Sequence, residues 1–155
     1  MDTAQALRPT WMSRLVEVLQ PLSLRADRLA ATALFAGVAR PDLEIAAALV
    51  SEALVERGAR MTVQGVPSPR LWLILEGQAL VSADARPLRV AANGDLVGLR
   101  SMLRATDSPE TTIALSPIRA FAVDGERFRR MMAHRPLRAR LTAAASARRR
   151  SSAAG

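Results

Sequence analysis

The chain has 155 residues, half of them apolar, and a formal net charge of +8 at pH 7, with a single histidine and no cysteine. This length and composition suit one packed domain with a helical appendage. The lack of cysteine excludes disulfides, thiol nucleophiles and thiolate metal sites, and one histidine is too few for a metal centre built from several imidazoles.

An amphipathic helix is expected near the N-terminus, ending at Pro21. Its apolar residues follow the spacing of one helix face, i, i+4, i+7, i+8 and i+11, and are Trp11, Leu15, Val18, Leu19 and Leu22. A second helix is expected over residues 24–34, so residues 1–33 form a helical extension. The candidates for contacting a partner are Trp11, Leu15, Val18 and Leu19. The alternative is that this face packs on the chain's own domain.

Eight short β segments are expected after a helix that opens at residues 41–44. Glycines stand at the turns between them, where they adopt positive φ angles without steric cost. The strands are expected at residues 51–57, 59–64, 71–76, 78–83, 87–92, 95–98, 111–116 and 118–123. The nearly all-apolar run at 70–76 predicts a strand covered on both faces, by the sheet interior and by a helix. A helix over residues 126–132 should follow, with Phe128 packing back on the strands.

The order of strands and turns resembles the cyclic nucleotide-binding domain family, the effector domain of catabolite activator protein-like regulators. The run Leu34-Phe35-Ala36-Gly37 ahead of the strands and His134-Arg135-Pro136 behind them are also similar to that family. The resemblance covers residues 34–141. It implies a mainly β fold with flanking helices, namely an eight-stranded jelly-roll β-barrel with N-terminal helices and short C-terminal helices.

The family's ligand motif is Gly-Glu, a short helical turn, and then Pro-Arg-(Ser/Thr)-Ala. The glutamate accepts a hydrogen bond from the ribose 2′-hydroxyl, and the arginine pairs with the cyclic phosphate. Here Leu99 follows Gly98, and Glu110 follows Pro109, so both anchors are replaced. A carboxylate within about 4 to 6 Å of a phosphate repels it. The resemblance therefore implies a scaffold without cofactor, in which binding of a cyclic nucleotide is the disfavoured alternative.

The residues around this motif are the candidates for a ligand pocket. They are Gly98, Leu99, Arg100, Ser101, Arg104, Glu110, Thr111 and Thr112. A ligand here would present a positive or neutral group to Glu110. The alternative is an interior closed by leucine side chains, with the two arginines on a solvated face or paired with Asp107.

Nine of the 22 basic residues, all arginines, lie from Arg127 onwards, where there is no acid. The basic character therefore belongs to the C-terminal helix and to residues 142–155, which are expected to be a disordered tail. Its candidates for contacting a partner are Arg148, Arg149 and Arg150. They suit an acidic protein surface or nucleic acid. Aromatic residues for stacking bases are absent from the tail, and no helix-turn-helix is expected after the strands.

No serine, histidine and carboxylate arrangement can be assembled from the local sequence, so the protein is not expected to be an enzyme. No apolar run reaches 18 residues, which predicts a cytoplasmic protein without a membrane span. The favoured function is a regulatory or adaptor protein acting through protein–protein contacts or self-association. One alternative is a small-molecule or cyclic-nucleotide sensor whose ligand shifts the flanking helices. Another is a nucleic-acid-associated regulator using the C-terminal arginines.

Overall fold

A computed structural model of the protein describes the backbone of residues 21–153 and the side chains of residues 21–148. Its elements, in chain order, are α1 (Leu22–Ala30), α2 (Arg40–Leu49), β1 (Ser51–Val55), β2 (Arg60–Thr62), β3 (Arg70–Glu76), β4 (Ala79–Ala83), β5 (Arg86–Ala91), β6 (Leu96–Val97), α3 (Leu99–Arg104), β7 (Thr111–Ala114), β8 (Ile118–Asp124), α4 (Gly125–Ala133) and α5 (Arg135–Ala153). The expected helix carrying Trp11, Leu15, Val18 and Leu19 lies outside the described residues.

The eight predicted strands are confirmed, with bounds that agree within two residues. They form two antiparallel four-stranded sheets, with strand orders β1-β8-β3-β6 and β2-β7-β4-β5. The mainly β class with flanking helices is therefore correct. The expected barrel is present as two sheets facing each other, and no strand ladder among residues 21–153 joins their edges.

One hydrophobic core fills the space between the two sheets. Trp72 and Ile74 of β3 point into it, as do Ala120 and Ala122 of β8. Trp72 lies directly opposite Ala122 in the antiparallel pairing of these strands. Small side chains on β8 thus leave room for the indole on β3, and large and small residues interdigitate as in other closely packed cores.

A second core lies between the first sheet and the helices. The alternate residues of the same two strands enter it, including Leu71 and Leu73 of β3 and Phe121 of β8. Strand β3 is therefore buried on both faces, as its all-apolar sequence predicts. Phe128 of α4 is buried in this core, which confirms its expected packing against the strands.

The last helix is longer than the sequence analysis expected, because α5 continues without a break to Ala153. The expected domain boundary at residue 141 and the expected disordered tail do not match this helix. Leu137 and Leu141 are fully buried, and Ala144 and Ala145 extend the same face into the core. Alanine and arginine are also among the strongest helix formers. The composition that predicts a disordered tail therefore also supports a helix once one face of that helix is anchored.

Candidate functional site

A cavity of about 510 Å³ lies between α3, the loop that precedes β7, and α5. Its wall contains six of the eight predicted pocket residues, namely Gly98, Leu99, Arg100, Ser101, Arg104 and Glu110. Helix α5 adds Thr142, Ala145 and Arg148 from the other side. The arrangement brings the strand-to-helix turn, the β7 loop and the C-terminal helix together around one space.

The other two predicted residues, Thr111 and Thr112, are not part of the cavity wall. The Thr62 hydroxyl oxygen lies 3.0 Å from the Thr112 hydroxyl oxygen, and both side chains are buried. The Thr111 hydroxyl accepts a hydrogen bond of 2.9 Å from the backbone N–H of Gln64. These threonines therefore tie β7 to β2 and to the loop that follows β2.

The turn into α3 requires glycine at position 98. Gly98 has a φ of +87°, and a Cβ atom there would lie 2.6 Å from both the Arg70 carbonyl oxygen and the Ser68 Oγ. The next residue, Leu99, is 2% exposed and packs in the core between the helices and the first sheet. Ser101 holds the turn from inside, because its hydroxyl accepts from the Ser68 N–H at 2.8 Å and donates to the Thr106 carbonyl.

Glu110 is held by an arginine that sequence analysis missed. Arg89 Nη1 donates to Glu110 Oε1 at 3.0 Å, and Arg89 Nη2 donates to Oε2 at 2.9 Å. Both side chains are about one-third exposed or less. Since Arg89 pairs with Val81, and Val81 with Thr112, the two strands β5 and β7 bring it close to the β7 loop. No local sequence pattern signals this contact, because it depends on strand register.

Arg148 also reaches the cavity, although the sequence placed it in a tail. Burial lowers the pKa of the Arg148 guanidinium, and the positive charge of Arg89 lowers it further. The negative charges of Glu110 and Asp95 act in the opposite direction. The charge of Arg148 thus contributes to the electrostatic potential in the cavity. The side chains of Arg149 and Arg150 lie outside the described ones.

Arg100 and Arg104 are exposed residues of α3 at the edge of the cavity. Within residues 21–148, no ion pair joins either side chain to Asp107 or to another acid. In the same part of the chain, no three histidine, cysteine or acidic side chains cluster closely enough to hold a metal ion. None of the helices described here has the length and hydropathy needed to cross a membrane.

The architecture is similar to that of several solved structures. The regulatory domain of Toxoplasma gondii PKA with cAMP is 17% identical, with a TM-score of 0.70, and the match covers 81% of this chain and 49% of that one. The catabolite activator protein of Thermus thermophilus is 25% identical, with a TM-score of 0.67 and coverages of 77% and 59%. A mutant of the cAMP-binding acyltransferase from Mycobacterium smegmatis is 27% identical, with a TM-score of 0.61 and coverages of 77% and 39%.

The match thus spans between about two-fifths and three-fifths of the length of these three proteins. A comparison with curated proteins finds no match. The family model for the cyclic nucleotide-binding domain matches residues 53–135, more than half of the chain. This segment runs from β1 to the start of α5 and includes the predicted ligand motif. The chain belongs to the cyclic nucleotide-binding domain family.

Proposed function

We propose that the protein is a non-catalytic regulatory or adaptor protein whose cyclic nucleotide-binding domain has lost its affinity for cAMP and cGMP. In this proposal, the domain acts through contacts with other proteins. A regulatory role is supported by the similar folds of the PKA regulatory domain and the catabolite activator protein. The acyltransferase is matched over only 39% of its length, so its activity is not carried over.

The observation that carries the proposal is the ion pair between Arg89 and Glu110. In the family's motif, the position of Glu110 belongs to the arginine that pairs with the cyclic phosphate. Arg89 does not take over that role in this arrangement, because its guanidinium is engaged by both oxygens of Glu110. Leu99, at the position of the ribose-binding glutamate, has no acceptor atom in its side chain. Both replacements argue against the family's usual ligand.

A basic surface on α4 and α5 supports the proposed protein contacts. Its exposed arginines are Arg129, Arg135 and Arg138. Such a surface favours association with an acidic partner and accelerates it. A partner bound here should be lost after Arg135→Glu with Arg138→Glu. If these substitutions abolish binding to DNA instead, and if that binding falls steeply with salt, the nucleic-acid alternative replaces the protein partner.

Calorimetric titration with cAMP and with cGMP tests the loss of nucleotide binding. We expect no binding tighter than a dissociation constant of about 1 mM, because neither charge anchor is present. Micromolar binding of either nucleotide would contradict the proposed function.

Restoring the two anchors gives the positive control. The double substitution Leu99→Glu with Glu110→Arg should strengthen cyclic-nucleotide binding at least about tenfold, as expected for a regained charged hydrogen bond. The matched variant Arg89→Glu with Glu110→Arg reverses the ion pair without freeing a cation, and it should bind no better than the parent. Because Leu99 is buried, the single variant Glu110→Arg is measured as well, and each variant's unfolding temperature is checked.

A second candidate function is that of a small-molecule sensor, and the cavity itself favours it. Its volume of about 510 Å³ lies within the usual range of about 300 to 1,000 Å³ for small-molecule sites. Three side chains of α5 line the cavity, so a ligand would contact this helix and influence its position.

A further inference from the structure

Most of the polar groups in the cavity wall are already used inside the protein. The Ser101 hydroxyl has one donor and one acceptor partner, as described above. The Ser108 hydroxyl donates to the Glu110 carbonyl at 2.7 Å, and the Thr62 hydroxyl lies 3.0 Å from the same carbonyl. These three hydroxyls hold the β7 loop in place and are therefore poor anchors for a ligand.

The polar side chains left over are those of three arginines and of Thr142 on α5. Arg100 and Arg104 contribute from α3, and Arg148 contributes from α5. No hydrogen bond or ion pair within 4.0 Å joins any of the three to an acid of residues 21–148. The carboxylate of Glu110, which also lines the cavity, has both oxygens bound by Arg89. The wall therefore offers donors with positive charge and no unused carboxylate.

The balance of charge around the cavity is positive. Arg89 is paired with Glu110, and Arg148 interacts with the negative charges of Glu110 and Asp95. The two arginines of α3 add positive charge and form no ion pair with an acid of residues 21–148. Burial of Arg148 lowers the pKa of its guanidinium, and repulsion by the positive charge of Arg89 lowers it further. A cation that is partly removed from water beside another cation is stabilised by any anion that enters.

The remaining wall is apolar and comes from Leu99, Leu103, Pro109 and Ala145. A ligand that fills the cavity would therefore expose a small hydrocarbon surface to these side chains and its charged groups to the arginines. Pockets of this kind combine an apolar lining with a few polar groups that fix orientation. The shape and charge together favour a compact organic molecule over a bare inorganic ion.

We propose that this cavity binds a small organic anion with at least two negatively charged groups, held between Arg100 and Arg104 on α3 and Arg148 on α5. This inference rests on the second candidate function, that of a sensor. Because α5 supplies one of the anchors, binding would tie this helix to α3.

Citrate is the probe for this site, with its uncharged trimethyl ester as the matched control. Calorimetric titration of the full chain should give a dissociation constant for citrate below about 1 mM, weakening as sodium chloride is raised. The ester should not bind. Failure of citrate to bind at low salt, or equal binding of the ester, would overturn the proposal.

Substitutions locate the site. Arg148→Ala and Arg104→Ala should each weaken citrate binding by about tenfold or more, as expected for the loss of a charged hydrogen bond. Arg57→Ala and Arg86→Ala remove exposed arginines outside the cavity wall, and each should change citrate binding by less than about twofold. A loss in either control as large as that in Arg148→Ala would place the anion outside the cavity and overturn the proposal.

Titration of the same protein with cAMP and cGMP separates this inference from the proposed function. If neither citrate nor a nucleotide binds, the anion site is wrong and the loss of nucleotide binding stands. If a nucleotide binds with micromolar affinity and citrate does not, both are wrong. If citrate binds with the expected dependence on Arg148 and the nucleotides do not, both are supported.

Discussion

Arg89 on β5 and Glu110 ahead of β7 form a two-bond ion pair across the intervening strand β4, with N–O distances of 3.0 and 2.9 Å. The parallel alignment of a guanidinium and a carboxylate is the strongest geometry for such a pair, and partial burial reduces its screening by water. The pair therefore links β5 to the loop that precedes β7, beside the cavity.

A double-mutant cycle measures how strongly these two residues interact. We expect Arg89→Met and Glu110→Gln to show a coupling free energy of about 1 kcal/mol, above that of a fully exposed pair and below that of a fully buried one. Urea denaturation of the parent, the two single variants and the double variant gives this value. Strictly additive effects would mean that the pair contributes nothing to stability.

Gly77, directly after β3, should not tolerate a side chain. Its φ is +97°, and a Cβ atom would lie 2.3 Å from the backbone oxygen of Pro117. Gly77→Ala should therefore lower the free energy of unfolding by more than about 3 kcal/mol. Gly94 also has a positive φ, of +89°, but has open space around it, so Gly94→Ala should cost only about 1 to 2 kcal/mol. Equal losses in the two variants would exclude the close contact at Gly77.

Leu141 anchors α5 over the cavity, since it is fully buried in the core between the helices and the first sheet. Leu141→Ala should lower the free energy of unfolding by about 2 to 5 kcal/mol, through lost burial and a new void. The same substitution at Leu88, which is 54% exposed on β5, should cost less than about 1 kcal/mol. Chemical denaturation compares the two. A small loss at Leu141 would mean that α5 is not packed as described.

Arg119 compensates a buried carboxylate. Glu52 is 3% exposed, and its Oε1 lies 3.0 Å from Arg119 Nε and 3.5 Å from Arg28 Nη1. Arg119→Met should therefore lower the free energy of unfolding by about 2 kcal/mol, because the carboxylate keeps only its more distant partner. Arg130→Met removes an exposed i,i+4 pair with Glu126 and should cost less than about 0.5 kcal/mol. A thermal denaturation series with both variants checks the contrast, and similar shifts in the two would contradict it.

Local patterns were enough to locate the strands and their turns. The all-apolar run of β3 predicted a strand covered on both faces, because side-chain direction alternates along a strand whatever its partners are. The resemblance of the turn into α3 to a family motif also identified Gly98, Leu99 and Glu110 as neighbours of a pocket. Each of these inferences uses residues that are close together in the chain.

The length of α5 and the positions of Arg89 and Arg148 depend on contacts between residues that are distant in the chain. Residues 142–153 are helical although their composition is that of a polar tail, because Leu137 and Leu141 hold the preceding turns in the core. Arg89 meets Glu110 only through the register of three strands, and Arg148 reaches the same cavity only because α5 crosses it. Electrostatic interactions depend on distance in space and on burial, and neither quantity is encoded by the spacing of residues along the chain.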